Sequence, residues 1–123
     1  MIHGIGVDII EIERIGKSIE QYGDAFLSKL FTQNEIAYCK GKKNPAQHFA
    51  ARFAAKEAFS KAIATGWSGQ FDWKHVEVMN EESGKPIIQL SGALAEVWND
   101  YTIFLSLSHS DTSVVAFVVL EKR

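Results

Sequence analysis

The amino-acid sequence predicts an α+β fold in which an antiparallel sheet packs against a long central helix. The helical patterns are grouped between residues 12 and 64, and they do not alternate singly with strands as a βαβ winding requires. The strand-like runs after residue 75 are joined by short polar turns, which is typical of hairpins. With 123 residues, of which 46% are hydrophobic and 23% are charged, the chain has the size and composition of one domain, 1–123.

The first predicted elements are a strand and a helix. Apolar residues alternate with glycine and aspartate from residue 4 to residue 9, so the strand has one apolar face and one face left bare by two glycines. Isoleucines at i, i+3 and i+7 then indicate a helix over about 12–22. Gly23 is suited to end it, since glycine adopts the left-handed conformation found at helix C-termini.

Three further helices follow. A short one covers about 25–30. The next opens where Thr32 and Glu35 have the spacing of a capping box, and it closes near Gly41. The longest helix runs over about 45–64, because proline suits its first position and apolar residues then recur on every face.

The second half of the chain is predicted to consist mainly of strands. A loop rich in glycine and serine over 66–69 ends the long helix. Strands through 76–78 and 87–90 follow, joined by the polar connection 80–86. A short helix over about 92–99 comes next. The last two predicted strands are 102–108 and 113–120.

The charge and the cysteine content exclude several classes of protein. The 13 basic and 15 acidic residues leave a formal net charge of −2, whereas a dedicated nucleic-acid binder carries a basic excess. Cys39 is the only cysteine, which excludes an intramolecular disulfide framework and favours a reducing compartment. The first residues lack the features of a signal peptide, and no apolar run approaches the roughly 18 residues of a membrane span. We therefore expect a cytoplasmic protein without nucleic-acid or membrane partners.

The long helix combines an apolar surface with four charges. From residue 49 to residue 64, 11 of 16 positions are apolar and cover every face, which is typical of a buried helix. The charged residues are Arg52, Lys56, Glu57 and Lys61. One interpretation is that Glu57 and Lys61, at i and i+4, form a local ion pair on a solvated face. The other is that charges flanked by apolar residues hold a ligand.

Asp8 interrupts an otherwise aliphatic strand. It is either an exposed strand position or a functional carboxylate, and the two glycines on its face favour the second, because they let a backbone, a metal or a ligand approach closely. Asp8 and Glu57 together would provide two carboxylates, which are too few for a calcium cage. The pair suits Mg²⁺, which keeps water ligands and takes others from substrate phosphates.

Two further residues invite a catalytic interpretation. His109 is either a polar residue at a hairpin end or part of a site. A triad of Ser108, His109 and Asp111 is disfavoured, because nearly consecutive side chains diverge and no nucleophile-elbow motif is present. Cys39 is interpreted as a small packing residue and not as a nucleophile.

Three segments carry a likeness to a known family. They read GIGVDIIEIER at 4–14, RFAAKEAFSKA at 52–62 and LSLSHS at 105–110, and the turn SGKP follows the same pattern at 83–86. Taken in order, they closely resemble the holo-acyl-carrier-protein synthases, the small homotrimeric branch of the 4′-phosphopantetheinyl transferases. The helical block is the specific part of the match, and the likeness covers essentially the whole chain. It implies a 4′-phosphopantetheinyl transferase-like α+β domain.

The resemblance implies an enzyme that transfers 4′-phosphopantetheine from coenzyme A to a serine of an apo acyl carrier protein. Adenosine 3′,5′-bisphosphate would be released, and the product would support fatty acid biosynthesis. Mg²⁺ is the implied cofactor, with Asp8 and Glu57 as ligands, in agreement with the interpretation of these residues by themselves. Lys61 is implied beside the same phosphates or the incoming hydroxyl. The base that accepts the serine proton is left open, with a water on the metal favoured.

The resemblance also implies contacts with both substrates. Arg52 and His109 are expected at the charged 3′-phosphoadenosine end of coenzyme A. The turn expected beside the adenine consists of Ser83, Gly84, Lys85 and Pro86. Arg14 and Lys17, on the first helix, would dock the acidic recognition helix of the carrier protein. Because the family is homotrimeric, we expect active sites at subunit interfaces. Despite the net negative charge, a basic cluster is expected, consisting of Arg14, Lys17, Arg52, Lys56 and Lys61.

Two other functions use the same residues. A magnesium-dependent pyrophosphatase acting on coenzyme A or nucleotides would use the carboxylates with water as the nucleophile. A non-catalytic module would bind coenzyme A without turnover. Neither accounts for Arg14 and Lys17 near Asp8, and modification of an apo carrier protein discriminates among the three.

Overall fold

The computed structural model describes residues 1–64 and 71–123, and the predicted loop over 66–69 lies outside them. Its elements follow the predicted order of one strand, helices, a hairpin, a short helix and a final pair of strands. They are β1 (Ile2–Glu11), α1 (Ile12–Leu30), α2 (Gln33–Lys40), α3 (Pro45–Ile63), a 3₁₀ turn (Trp73–His75), β2 (Val76–Asn80), β3 (Pro86–Leu90), α4 (Gly92–Trp98), β4 (Tyr101–His109) and β5 (Ser113–Lys122). The predicted α+β class is therefore confirmed.

The strands form two antiparallel sheets, where the sequence had indicated one. β5 lies in the middle of a three-stranded sheet, with β1 on one side and β4 on the other. β2 and β3 pair only with each other. β3 lies next to β4, but no ladder of hydrogen bonds joins them, so the hairpin stays a separate sheet.

Helix α1 includes both of the first two predicted helices. Its range, Ile12–Leu30, consists of two helices that meet at a kink, where Gly23 has a non-helical φ of 58° and ψ of −137°. Only glycine adopts such a positive φ readily, so the predicted end of the first helix at Gly23 is confirmed, and the predicted second helix follows it directly. Helix α2 begins with the predicted capping box, in which Glu35 N donates to Thr32 Oγ1 at 3.2 Å and Thr32 N donates to Glu35 Oε1 at 2.9 Å.

Helix α3 occupies the centre of the molecule, as its apolar surface predicted. Buried residues occur on all its sides, including Phe49, Ala54 and Phe59. It packs against β1 and β5 on one side and against α1 and α2 on others. The packing of α3 on β1 and β5 therefore places the side chains of the helix at set distances from the sheet.

The bare face of β1, and not its apolar face, lies against α3. A Cβ atom on Gly4 or Gly6 would overlap the carbonyl oxygen of Ala62 or Ala58 respectively. The glycines thus let the strand and the helix backbone approach closely. The apolar residues that alternate with them point outward and are exposed.

Lys56 and Glu35 form an ion pair that is wholly buried, with neither side chain exposed to solvent. Lys56 Nζ donates to Glu35 Oε1 at 2.7 Å and to the carbonyl oxygen of Trp73 at 2.8 Å. Val78 N donates to Glu35 Oε2 at 2.9 Å. The pair therefore joins α2, α3, the 3₁₀ turn and β2. The assignment of Lys56 to the expected basic cluster is wrong, because its charge is already neutralised by Glu35 inside the core.

None of the helices described here, over 1–64 and 71–123, is long and apolar enough to cross a membrane.

Candidate functional site

A cavity between β1, α1 and α3 contains both predicted metal-binding carboxylates. Asp8, from β1, and Glu57, from α3, lie in its wall. Asp8 continues the face of β1 that carries the two glycines, so the close packing of strand and helix brings its side chain beside α3. The Asp8 side chain is only 16% exposed, which places a carboxylate where water is largely excluded.

Lys61 pairs with Asp8 across the strand–helix contact. Its Nζ lies 3.2 Å from Asp8 Oδ1 and donates to the carbonyl oxygen of Val7 at 3.1 Å. The local pair between Glu57 and Lys61 that the i, i+4 spacing suggested does not form among the described ion pairs, because β1 offers Lys61 a carboxylate at shorter range. Asp8, Glu57 and Lys61 are thus brought together as predicted.

The electrostatics of this cavity favour a cation. Burial raises the pKa of Glu57 above its usual value, the charge of Asp8 raises it further, and Lys61 acts in the opposite direction. Within the described ranges no cluster of three or more His, Cys, Asp or Glu side chains could hold a metal. Two carboxylates nevertheless fit Mg²⁺, which binds through one or two carboxylates and completes its shell with water and phosphate oxygens.

The two predicted carrier-binding residues differ in position. Arg14, from α1, lies in the wall of the carboxylate cavity together with apolar residues of α1 and α3. Lys17 lies on the exposed side of the same helix, where its Nζ is 3.1 Å from Glu13 Oε1. Arg14 is therefore the one of the two that can act on a group held by Asp8 and Glu57.

A second cavity, which we call the anion cavity, contains most of the residues expected to bind coenzyme A. Its wall includes Arg52 from α3, His109 from β4, and Gly84 and Pro86 from the turn between β2 and β3. The side chains of Ser83 and Lys85 belong to the same turn but lie outside the wall. The lining residues that sequence reasoning missed include Tyr38, Gln47, His48 and Asn80.

Arg52 is the most unusual residue of the anion cavity, since it is a cation with 3% exposure. Its Nη2 donates to Asn80 Oδ1 at 2.7 Å, and its guanidinium carbon lies 4.1 Å from the centre of the Tyr38 ring. Nε is buried without a hydrogen-bond partner, and no carboxylate of residues 1–64 or 71–123 pairs with the side chain. A buried cation with only neutral partners is suited to bind an anion.

His48 had a signal in the sequence that was not used. It lies four residues before Arg52, so both side chains share one face of α3. Tyr38 and Asn80 had no such signal, because α2 and the β2–β3 hairpin approach α3 only through tertiary packing. Asn80 is fixed from both sides, since its Nδ2 also donates to the carbonyl oxygen of Gly84 at 3.0 Å.

The disfavoured triad does not form, since no hydrogen bond of the described residues joins the side chains of Ser108, His109 and Asp111 to one another. Ser110 Oγ accepts hydrogen bonds from Thr112 N and Ser113 N, both at 3.2 Å, and so closes the corner between β4 and β5. Cys39 is fully buried, and burial raises the pKa of its thiol to about 12. It is therefore a packing residue, and the thiol stays protonated at neutral pH.

Helix α3 forms a wall of both cavities. Arg52 and Glu57 are five residues apart, which corresponds to about 7.5 Å along a helix axis. The arrangement can therefore bind a ligand that carries anionic groups at two places, one beside the buried arginine and one beside a cation held by the pair of carboxylates.

Comparisons with known proteins point to one family. Residues 4–118 match the family model of the 4′-phosphopantetheinyl transferase superfamily. The holo-[acyl-carrier-protein] synthase of Geotalea daltonii is 47% identical over 125 residues, covering 99% of this chain and 100% of the relative.

Two solved structures share the fold over their whole length. A holo-(acyl-carrier-protein) synthase from Bacillus anthracis, in complex with CoA (3′,5′-ADP), is 41% identical with a TM-score of 0.83, covering 100% of this chain and 99% of that one. The holo-[acyl-carrier-protein] synthase of Neisseria meningitidis is 36% identical with a TM-score of 0.88, covering 99% and 100%. The chain therefore belongs to the 4′-phosphopantetheinyl transferase superfamily and, within it, to the holo-[acyl-carrier-protein] synthases.

Proposed function

We propose that the chain transfers 4′-phosphopantetheine from coenzyme A to a serine of an apo acyl carrier protein, in support of fatty acid biosynthesis. The observation that carries the proposal is the position of two complementary sites on one helix. The buried guanidinium of Arg52 lies in a cavity without a carboxylate partner among the described residues, and Glu57 faces Asp8 in the neighbouring cavity. Coenzyme A carries anionic groups for both places.

Coenzyme A binding is assigned to the anion cavity. Arg52 would contact a phosphate of the nucleotide end, and His109, in the wall of the same cavity, would contact the same end. Gly84 and Pro86 would lie beside the adenine, and Ser83 and Lys85 would contribute from the rim of the same turn. Asn80 positions Arg52, because its amide also holds the turn at Gly84.

Asp8 and Glu57 would hold Mg²⁺, which supplies positive charge to neutralise the pyrophosphate when it is bound. Lys61 Nζ, beside Asp8, adds a second positive charge at the same place. The serine oxygen forms a bond to the phosphorus that carries pantetheine, and the bond from this phosphorus to the oxygen of the leaving adenosine 3′,5′-bisphosphate breaks. The proton of the serine hydroxyl passes to a water molecule. The contribution of the chain is to orient the two substrates and to exclude water from the side of Asp8.

The carrier protein is proposed to dock on α1. Arg14 borders the carboxylate cavity, and Lys17 lies one turn further along the exposed face of the helix. An acidic helix placed there would bring its adjoining serine towards Asp8 and Glu57. This arrangement favours group transfer to a protein over hydrolysis of coenzyme A by water.

A homotrimer is proposed on the basis of the outer face of the three-stranded sheet. Its exposed apolar side chains are Ile5, Val7, Ile9, Phe104 and Phe117, with exposures from 43% to 70%. Such a continuous apolar face is typical of a surface that a partner covers. His109 borders both the anion cavity and a shallow depression next to Ile9 on this face, so a neighbouring subunit would lie beside bound coenzyme A.

The test is incubation of the protein with coenzyme A, Mg²⁺ and an apo acyl carrier protein, followed by mass spectrometry of the carrier. The expected result is a carrier heavier by one phosphopantetheine group, together with release of adenosine 3′,5′-bisphosphate. If several competent apo carriers stay unmodified while coenzyme A is hydrolysed, the protein is a pyrophosphatase. Binding of coenzyme A without either product indicates a non-catalytic module.

A further inference from the structure

His48 lies in the wall of the anion cavity, and the proposed function gives it no role. It is partly buried on α3, one turn before Arg52. Its ring meets the Tyr38 ring edge to face, with the centres 5.9 Å apart. A histidine in this position can present its imidazole to the same ligand as Arg52.

The groups that face His48 come from four parts of the fold. Arg52 lies on its own helix, Lys42 on the connection before α3, His109 on β4, and the Tyr38 phenol on α2. Burial lowers the pKa of His48 below its usual value, and Arg52, Lys42 and His109 lower it further. No acidic group is among those that shift it, so the cavity is a site where positive charge accumulates without compensation.

Binding of an anionic ligand offsets the positive charge of the anion cavity. A phosphate group next to Arg52 supplies the negative charge that the cavity lacks, and it therefore favours the imidazolium form of His48 over the neutral form. Building on the proposed function, we propose that His48 is a further binding residue for a phosphate group of coenzyme A, which it contacts as an imidazolium after taking up a proton when the ligand binds.

Proton uptake by His48 and binding of the phosphate group favour each other. The imidazolium form of His48 binds the phosphate more tightly than the neutral form, so the contribution of His48 to the affinity for coenzyme A is largest at low pH and falls as pH rises. One linked proton corresponds to a change of up to about tenfold in Kd per pH unit, between the pKa of His48 in the free protein and its pKa in the complex. Above that range the extra contribution of His48 is absent.

The test is calorimetric titration of coenzyme A into the protein, in buffers of different ionisation enthalpy and over a series of pH values. The variant is His48→Gln, which keeps a polar side chain but cannot titrate, and the matched control is His75→Gln, which lies outside the anion cavity next to Asp72. Wild type and H75Q are expected to take up more protons per ligand than H48Q and to show a steeper dependence of Kd on pH. Protons bound by the ligand or by His109 are common to all three proteins.

A second readout uses the wild-type protein alone. Imidazole resonances of His48, followed by NMR over the same pH range, are expected to titrate at higher pH with coenzyme A than without it. Proton uptake that persists with dephospho-coenzyme A assigns the contact to the pyrophosphate, and its loss assigns the contact to the 3′-phosphate. Either result supports the proposal.

The inference is overturned if H48Q equals wild type in proton uptake and in the pH dependence of Kd, or if His48 stays neutral in the complex. Both results are compatible with a protein that still loads the carrier, so they leave the proposed function intact. If the wild-type protein binds no coenzyme A, both the inference and the proposed function fail.

Discussion

Asp8 and Glu57 are the side chains on which the proposed chemistry depends most directly. Asp8 is largely shielded from water, and Glu57 is a carboxylate whose charged form is disfavoured by burial and by Asp8. Two anions in such positions are retained at a cost in stability, which is common for residues kept for function. The other side chains in the wall of this cavity are apolar, except for Arg14 and Ser18 of α1.

Replacement of Asp8 or Glu57 by alanine is expected to reduce Mg²⁺-dependent loading of the carrier by about 10²-fold or more, since each removes one of two groups that position charge at the phosphates. The measurement is the initial rate of carrier modification by mass spectrometry, with circular dichroism to verify the fold. Glu96→Ala, an exposed acidic residue on α4, serves as the control and should keep full activity. Wild-type rates in D8A or E57A would refute the metal assignment.

The lowered pKa of His48 predicts how the free energy of unfolding depends on pH in the absence of ligand. Its pKa is lower in the folded protein than the value of about 6.5 in an unfolded chain. Between these two values the unfolded state binds more protons, so the free energy of unfolding rises with pH through this range and levels off above about pH 6.5. Denaturant unfolding between pH 5 and pH 7.5 should show a smaller rise for H48Q than for wild type. Identical slopes for the two proteins would contradict the shift.

The contact of β1 with α3 connects the elements that carry the site. Gly6→Ala would place a Cβ against the carbonyl oxygen of Ala58, and backbone cannot yield as a flexible side chain can. We expect the free energy of unfolding to fall by about 1–3 kcal/mol, the usual cost of overpacking, and the activity to be reduced because α3 shifts away from Asp8. Denaturant unfolding and carrier loading measure the two effects.

Gly16→Ala is the matched control for that substitution. Gly16 lies on α1, and a Cβ there would meet only the Ala46 Cβ at 3.7 Å, an ordinary van der Waals contact. Alanine in a helix is expected to gain about 0.5–1 kcal/mol relative to glycine. Equal stability of the G6A and G16A variants would show that the strand–helix contact tolerates a side chain.

The buried pair of Lys56 and Glu35 is expected to matter through its charge balance. Lys56→Met leaves the Glu35 carboxylate unpaired in the core and should cost about 3–5 kcal/mol of unfolding free energy. Combining it with Glu35→Gln removes both charges and keeps an acceptor at the capping box, so it should recover a large part of the loss. Denaturant unfolding of the single and double variants measures this. A double variant as unstable as K56M would show that the cost has another origin.

The proposed trimer depends on the outer face of the three-stranded sheet. Phe117→Glu would place a charge at its centre, where Phe117 pairs with Val7 and Ser106 in the neighbouring strands. We expect monomers in place of trimers by light scattering, and a loss of carrier loading because each site would lack its neighbouring subunit.

Val97→Glu is the control for association. Val97, on α4, is 48% exposed, similar to the 43% of Phe117, but it does not lie on the sheet. It should leave both the oligomeric state and the activity unchanged. A wild-type protein that is monomeric at working concentration would contradict the proposed trimer directly.

Local sequence signals were sufficient for most elements of the molecule. The capping box, the apolar surface of α3 and the hairpin turns depend on residues a few positions apart, and the structure confirms them. The 52–62 helical block and the two shorter motifs were sufficient for the family, which the comparisons confirm. A functional motif that is contiguous in the sequence can be predicted in this way, because the helix or strand that contains it preserves the spacing of its residues.

The sequence by itself therefore determined the α+β class, the order of the elements and the family. It also predicted the candidate site residues, which are Asp8, Glu57, Lys61, Arg52 and His109. Only the tertiary structure decided which charges are available and which are already paired. Lys56 is neutralised in the core by Glu35, Lys61 turns to Asp8, and Arg52 is left without a carboxylate among the described residues. The reason is that a side chain's charge partner is set by which elements pack together, and β1, α2 and α3 meet through contacts between residues far apart in the chain.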